Sequence, residues 1–295
     1  MYNDERVGVE TRKTRKYGEI MSQHPISSPI IVGGVGGSGT RLTVDLLKKM
    51  NIFMGNALNV SNDNMQIAPS FPIFRDLIQG KNIPPKTPIN QYWERIKPNF
   101  LKRRSEKKLH HEKKRIIFKK LSQFEKIMRQ DFARKPYNGW GWKVPGNFLI
   151  LEYLAEYFDD LKYIHTIRHG LDMAYSSNQN QLHNWGGFFG VDIQNMPLPK
   201  ASLQYWIRAN QKAITVGNNL LKDKFLLLNF DTLCQNPTQE IQSLTHFLGL
   251  HNHDVTELSK IVKIPYSLGR HKKHDLSLFD DEELEEVRKL GFQIM

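Results

Sequence analysis

The chain has 295 residues, with 42 Lys and Arg against 30 Asp and Glu, and so a formal net charge of +12. This length can form one large domain or two small ones with a substantial core. No apolar run approaches the roughly 18 residues that span a bilayer, and the N-terminus has no apolar signal core, so we expect neither a membrane span nor secretion. Cys234 is the single cysteine, which rules out an intramolecular disulfide and favours a reducing, cytoplasmic setting.

In chain order, a polar lead-in over residues 1–28 precedes alternating strands and helices. The patterns predict strands at 29–32, 162–167 and 225–230, helices at 41–50, 147–158, 171–182 and 201–221, and a helical region over 231–249. This alternation is typical of α/β proteins in which a parallel sheet has helices on both faces, giving three layers. We expect a single domain over residues 29–295.

Residues 55–135 interrupt the alternation as an insertion, loop-rich to about residue 100 and then helical over about 104–133. It contains a basic segment, residues 97–120, with eleven Lys and Arg and two Glu, a net charge of +9. Two interpretations are open. The segment either binds a polyanion or is the solvated face of a helix, because its apolar residues recur at roughly helical spacing.

A glycine-rich loop, Gly33 to Arg41, joins the first strand to the first helix. Its backbone N–H groups and the positive end of the helix dipole together favour an anion. An ATP-binding loop needs Lys and then Ser or Thr after its last glycine, whereas here Thr40 and Arg41 follow Gly39. The loop therefore suits an anion that is bound without magnesium or another metal. The candidate anion-binding residues are Gly36, Gly37, Ser38, Gly39, Thr40 and Arg41.

This loop resembles the 5′-phosphosulfate-binding loop of sulfotransferases that use 3′-phosphoadenosine 5′-phosphosulfate (PAPS). The strand that ends in Arg168, with Ser176 eight residues later, resembles their 3′-phosphate motif. With further similarities to bacterial members of this family, the resemblance covers about residues 30–55 and 139–290. The resemblance implies a P-loop-like α/β fold, PAPS as donor and 3′-phosphoadenosine 5′-phosphate (PAP) as product. It also implies that Arg270, in a flexible basic loop, closes over the 3′-phosphate.

The catalytic candidates follow from the same resemblance. Many members have Lys or Arg where this chain has Gly37, so another cation must stabilise the leaving group. Lys143, in a Lys-Val-Pro element similar to that of bacterial members, is the first candidate and Arg41 the second. For the base that deprotonates the acceptor, the candidates are Asp63 and, on the other side of the cleft, His183. His165 lies inside a strand and is expected to be structural.

The sequence and this resemblance therefore predict in-line sulfuryl transfer from PAPS to a hydroxyl acceptor, which is a glycan or a small alcohol. The positive net charge favours an anionic acceptor. Loop aromatic residues that could stack on the acceptor are Trp93, Trp185, Phe188 and Phe189. The alternatives are a P-loop nucleotide kinase and a non-enzymatic module that binds polyanions through the basic segment. We expect no specific nucleic acid partner, and the oligomeric state is open.

Overall fold

Within residues 26–79 and 106–294, which the computed structural model describes, five strands form one parallel sheet. They are β1 (Ile26–Gly34), β2 (Ile52–Phe53), β3 (Gly139–Lys143), β4 (Lys162–Ile167) and β5 (Phe225–Asn229). Their order is β2-β3-β1-β4-β5, and each neighbouring pair is parallel. The chain adds β2 and β3 on one side of β1 and β4 and β5 on the other, so the strand order reverses at β1. Open α/β sheets bind ligands at such a point, beyond the carboxyl ends of the strands.

Helices connect these strands and follow the last one. They are α1 (Thr40–Lys49), α2 (Phe71–Ile78), α3 (Glu106–Phe132), α4 (Leu151–Tyr157), α5 (Gly170–Ala174), α6 (Asn180–Trp185), α7 (Leu198–Leu220), α8 (Phe230–Gln235), α9 (Pro237–Leu248), α10 (Val255–Ser259) and α11 (Asp281–Lys289). Short 3₁₀ turns lie at Ala68–Ser70, Pro145–Ile150, Gly186–Phe189, Lys222–Lys224 and Arg270–Lys273. In this described part of the chain, no helix is both long and apolar enough to cross a membrane.

The two faces of the sheet have separate hydrophobic cores, because successive side chains of a strand point to opposite faces. On β1, Ile30 and Val32 pack with residues of α1, α8 and α9. Ile31, between them, packs on the other face with residues of α3, α4 and α7. This arrangement confirms the predicted three-layer α/β fold.

Much of the predicted insertion is part of the layered structure. On α3, the apolar stripe is buried against β3, and Phe124 contacts Trp142 edge to face at 5.1 Å between ring centroids. Arg115 and Lys119 are exposed on the same helix. The described part of the basic segment is thus the polar face of an amphipathic helix, while residues 97–105 lie outside the described residues. Polyanion binding by that face stays a hypothesis.

Three sequence predictions need correction. The predicted helix 171–182 is two helices, α5 and α6, because the Gln179 side chain donates hydrogen bonds to the carbonyls of Met173, Ala174 and Ser176 and so ends α5. The predicted helix 147–158 begins as a 3₁₀ turn and becomes α-helical only at Leu151. Strand β1 already starts at Ile26, so the last residues of the predicted lead-in belong to the sheet; residues 1–25 lie outside the description.

Candidate active site

The glycine loop turns sharply between β1 and α1 and forms the cradle in which we expect an anion to bind. Gly37 and Gly39 have φ angles of 92° and 94°, which side chains rarely tolerate. A Cβ atom at Gly39 would lie 2.0 Å from the Phe230 ring, so glycine also permits this close approach. Helix α1 has no acidic residue in its first turn that would offset the positive end of its dipole.

Ser38 lies at the centre of this loop and is fully buried. Among the described residues, no group forms a hydrogen bond with its Oγ atom. A buried hydroxyl without a partner is costly and uncommon in folded proteins. Ser38 is therefore a donor available to a bound anion.

Three predicted catalytic residues come together beside the loop. Lys143, at the carboxyl end of β3, donates from Nζ to the Asp63 carboxylate and to the Ser61 carbonyl, both at 2.5 Å. Its side chain is 2% exposed, against 22% for Asp63. Burial lowers the pKa of Lys143, Asp63 raises it, and the nearby charge of Arg41 lowers it again. Arg41 itself is exposed on the first turn of α1.

An asparagine-rich turn sets the position of Asp63. The Asn59 side chain accepts from the Asp63 backbone N–H at 2.8 Å and donates to its carboxylate at 2.9 Å. The backbone N–H of Asn64 donates to the Lys143 carbonyl at 2.9 Å, which fixes the turn to β3. Asn62 donates to Asp45 of α1 at 2.8 Å. The turn therefore spans two elements and fixes the carboxylate against the lysine.

Arg168, Ser176 and Arg270, the predicted 3′-phosphate residues, form a second group past β4. The Nη2 atom of Arg168 donates to the carbonyl and hydroxyl oxygens of Ser267 at 2.6 and 3.0 Å. Its Nε atom is buried and has no partner among the described residues. Arg270 donates to the carbonyl of Tyr175, the residue before Ser176, at 3.2 Å. Both arginines thus contact the Ser267 carbonyl, Arg270 from Nε at 3.5 Å. Ser176 adjoins the group through its neighbour Tyr175, and its hydroxyl accepts from the backbone N–H of Asn178 at 3.2 Å.

The turn that carries Arg270 is fixed to α5 by a buried carboxylate. Asp172 accepts from the backbone N–H groups of Gly269 and His271 at 2.6 and 3.0 Å. The Nδ1 atom of His271 is 2.7 Å from the same carboxylate. Burial raises the pKa of Asp172, but these hydrogen bonds outweigh it and leave the pKa below its ordinary value. The loop that carries Arg270, which the sequence predicts to be flexible, is therefore bound to α5. An acidic residue, Asp172, within the otherwise apolar segment Gly170–Ala174 is the feature of the sequence that could have indicated this contact.

Gln181 of α6 also contacts the glycine loop, and nothing in the sequence indicated it. The backbone N–H of Gly36 donates to Oε1 of Gln181 at 2.7 Å. The Tyr205 hydroxyl of α7 reaches the same oxygen at 3.1 Å. Two helices that are distant from α1 in sequence therefore hold the loop.

The other predicted residues have different environments. His165 is fully buried and hydrogen-bonded to Asn210 at 2.9 Å, and burial lowers its pKa to about 4, as suits a structural residue. His183 is exposed on α6. Trp185 is buried and offers no stacking surface, Phe188 and Phe189 are half-buried, and Trp93 lies outside the described residues.

The fold is that of a P-loop-like α/β protein, and the two groups of cations and hydrogen-bond donors lie beyond the carboxyl ends of adjacent strands. A sequence profile of the sulfotransferase family matches residues 29–254. The chain belongs to the sulfotransferase family and is a transferase. A search of curated proteins found no match.

The first of three similar solved structures supports the fold. The sulfotransferase domain from the Synechococcus PCC 7002 olefin synthase is 14% identical, with a TM-score of 0.50 over 95% of this chain and 100% of that one. The sulfotransferase domain from the curacin biosynthetic pathway is 13% identical, with a TM-score of 0.46 over 92% and 100%. A sulfotransferase from Mycobacterium avium is 10% identical, with a TM-score of 0.46 over 90% and 76%.

Proposed function

We propose that this sulfotransferase moves a sulfuryl group from PAPS to a hydroxyl acceptor and releases PAP. The observation that carries the proposal is a pair of groups rich in cations and hydrogen-bond donors beyond two adjacent strands, one at the glycine loop after β1 and one at Arg168 after β4. PAPS has a phosphosulfate at one end and a phosphate on the 3′ position. A donor with two separate anionic groups needs two such sites.

The unpartnered groups at the two sites fit this donor. The Ser38 hydroxyl in the first site and the Arg168 Nε–H in the second are both buried without a partner among the described residues. Each is a hydrogen-bond donor of the kind that binds phosphate or sulfate oxygens. When bound, PAPS supplies the activated sulfuryl group.

Lys143 is the proposed electrophilic stabiliser. Its Nζ atom is held by Asp63 and the Ser61 carbonyl, so its position is fixed before any ligand arrives. A preorganised cation in a buried site stabilises charge that develops on a leaving group far more than one in water does. Arg41, exposed at the edge of the same group, is the second candidate.

Asp63 is the proposed base, with His183 as the alternative. The Asp63 carboxylate is partly exposed, unlike the buried Lys143, so an acceptor hydroxyl approaching from solvent can reach it. We therefore propose that the acceptor, a glycan or a small alcohol, binds on the side of the 55–135 insertion. We also propose a single domain over 29–295 and a cytoplasmic location.

Calorimetric titration tests the proposal. We expect PAP to bind with micromolar affinity in the presence of EDTA, because the loop lacks the residues that hold magnesium. Titrations with ATP–Mg²⁺ and with a polyanion such as heparin test the two alternatives. Binding of ATP–Mg²⁺ alone would contradict the proposal and favour the kinase, and binding of heparin alone would favour a polyanion module.

A further inference from the structure

Gln181 has a hydrogen-bonding arrangement that leaves one donor free beside the glycine loop. A backbone N–H can only donate, so the Gly36 N–H at 2.7 Å must meet the carboxamide oxygen of Gln181. This contact fixes the orientation of the carboxamide, with Nε2 as its other end. Among the described residues, no group accepts a hydrogen bond from Nε2.

The Nε2 atom also lies over the loop itself. A Cβ atom built at Gly36 would be 3.1 Å from Cγ of Gln181 and 3.6 Å from Nε2. The carboxamide therefore packs directly on the Gly36 backbone, at the start of the segment that carries Ser38. Nε2 is therefore a free donor beside the Gly36 backbone, two residues before Ser38.

The position of Gln181 is rigidly supported from α7. The Tyr205 hydroxyl, on a side chain that is 2% exposed, donates to Oε1 at 3.1 Å. Two residues earlier, Gln179 accepts from Ser202 of α7 at 2.8 Å and ends α5. Such second contacts restrict a side chain to one rotamer and prepare it to bind a ligand.

We propose that Gln181 donates a hydrogen bond from Nε2 to the sulfuryl end of PAPS, and that this contact makes the enzyme bind PAPS in preference to PAP. The inference rests on the proposed function. PAP lacks the sulfuryl group, so it cannot form this hydrogen bond, whereas its contacts at Arg168 are the same. Gln181 thus favours exchange of spent PAP for fresh PAPS.

Two variants separate this role from simple support of the loop. Gln181→Glu keeps an oxygen for the Gly36 N–H but loses the Nε2 donor, and Gln181→Met loses both without adding charge. The dissociation constants of PAPS and PAP are measured for each variant by calorimetry without acceptor. We expect the preference for PAPS over PAP to fall about ten- to a hundredfold in both variants, the usual effect of losing a hydrogen bond to a charged group.

Asn184→Ala, an exposed change on the same helix, is the matched control and should keep the wild-type preference. Thermal unfolding of all three variants checks that each is folded. An unchanged preference in either Gln181 variant, or an equal loss in Asn184→Ala, would overturn the inference. A fall in Gln181→Met alone would also overturn it, since the role would then be support of Gly36. If the wild-type protein binds neither nucleotide, the proposed function itself fails.

Discussion

The two proposed anion sites hold their buried cations in different ways. In the transfer region, defined by the glycine loop, Asp63 and Lys143, the cation contacts a carboxylate at 2.5 Å. In the anchor region, defined by Arg168, Ser176 and Arg270, the Arg168 guanidinium contacts oxygens of Ser267 at 2.6 and 3.0 Å, and its closest carboxylate oxygen is at 3.8 Å.

This difference between the two cations suggests different roles for the two regions, catalysis in the transfer region and nucleotide binding in the anchor region. An ion pair fixes Lys143 in place at little net charge, which suits a group that must stabilise charge appearing during a reaction. Arg168 donates its short hydrogen bonds to uncharged oxygens, whereas the carboxylate of Asp172 is farther away and Arg270 adds a second positive charge. We therefore expect this region to keep more of its attraction for a phosphate. Changes in the transfer region should therefore affect turnover, and changes in the anchor region should affect nucleotide affinity.

The largest expected effect is that of Lys143→Met, which removes the cation but nearly keeps the side-chain volume. We expect kcat to fall by about a hundred- to a thousandfold, as when other preorganised electrostatic groups are removed. PAP affinity should fall by a smaller factor, because Lys143 would contact the 5′-phosphate of PAP, which is the leaving group, while Arg168 and the glycine loop still bind the nucleotide. Sulfate transfer from labelled PAPS and calorimetry measure the two. If Lys143→Met keeps most of its activity, Arg41 is the stabiliser instead, and Arg41→Met should then show the large fall in kcat.

Asp63→Asn tests the other half of the ion pair. Loss of a general base should lower kcat by about a hundredfold or more. Lys143 must be protonated to act, so activity is present below its pKa and lost above it. Because Asp63 raises that pKa, its removal should shift the alkaline limb of the kcat profile to lower pH.

The control for this change is His183→Gln. If Asp63 is the base, that variant keeps its activity and its pH profile. A large fall in kcat in His183→Gln together with a small fall in Asp63→Asn would show that His183 is the base. Asp63 would then only position Lys143.

Arg168→Ala should break the anchor region. We expect PAP affinity to fall about ten- to a hundredfold, because hydrogen bonds from a charged donor to phosphate are lost. At saturating PAPS, kcat should change little. Arg270→Ala is a useful companion, since its half-buried side chain should give a smaller loss. A large drop in kcat at saturation would contradict the separation of the two regions.

The smallest expected effect is that of Asp172→Asn, which touches neither nucleotide nor acceptor in our assignment. The amide cannot accept all three hydrogen bonds from Gly269 and His271, so we expect the free energy of unfolding to fall by about 1–3 kcal/mol. PAP affinity should weaken a few-fold as the docked turn loosens. Urea unfolding and calorimetry measure both, and unchanged PAP affinity would show that the turn does not shape the anchor region.

The local pattern of apolar residues and glycines was enough to predict the strands and the loop that carry the candidate active-site residues. The β-branched run of β4 was predicted with its observed bounds, 162–167, and the glycine loop was placed between β1 and α1. Arg41, Asp63 and Lys143 were chosen one by one from motif and chemistry. Their contact could not be predicted, because Asp63 and Lys143 are 80 residues apart and meet only through the turn that Asn64 fixes to β3.

What sequence reasoning missed depends on tertiary contacts. The break between α5 and α6 exists because the Gln179 side chain donates to the carbonyl of Ser176 past the end of α5 and accepts from the Ser202 hydroxyl of α7. Gln181 and Asp172 look like ordinary helix residues in the sequence. Only the packing of α7 and of the turn at Arg270–Lys273 gives them partners.

The Phe230 ring lies between the two regions. One edge approaches the Cα of Gly39, and the Arg168 guanidinium lies over the ring at 5.2 Å from its centroid. A single buried ring in contact with both regions therefore sets the distance between the two proposed anion sites. If one donor binds across both regions, as we propose, this distance selects the donor by its length as well as by its charge, and we expect a molecule with the same two anionic groups on a shorter or longer linker not to fill both sites together.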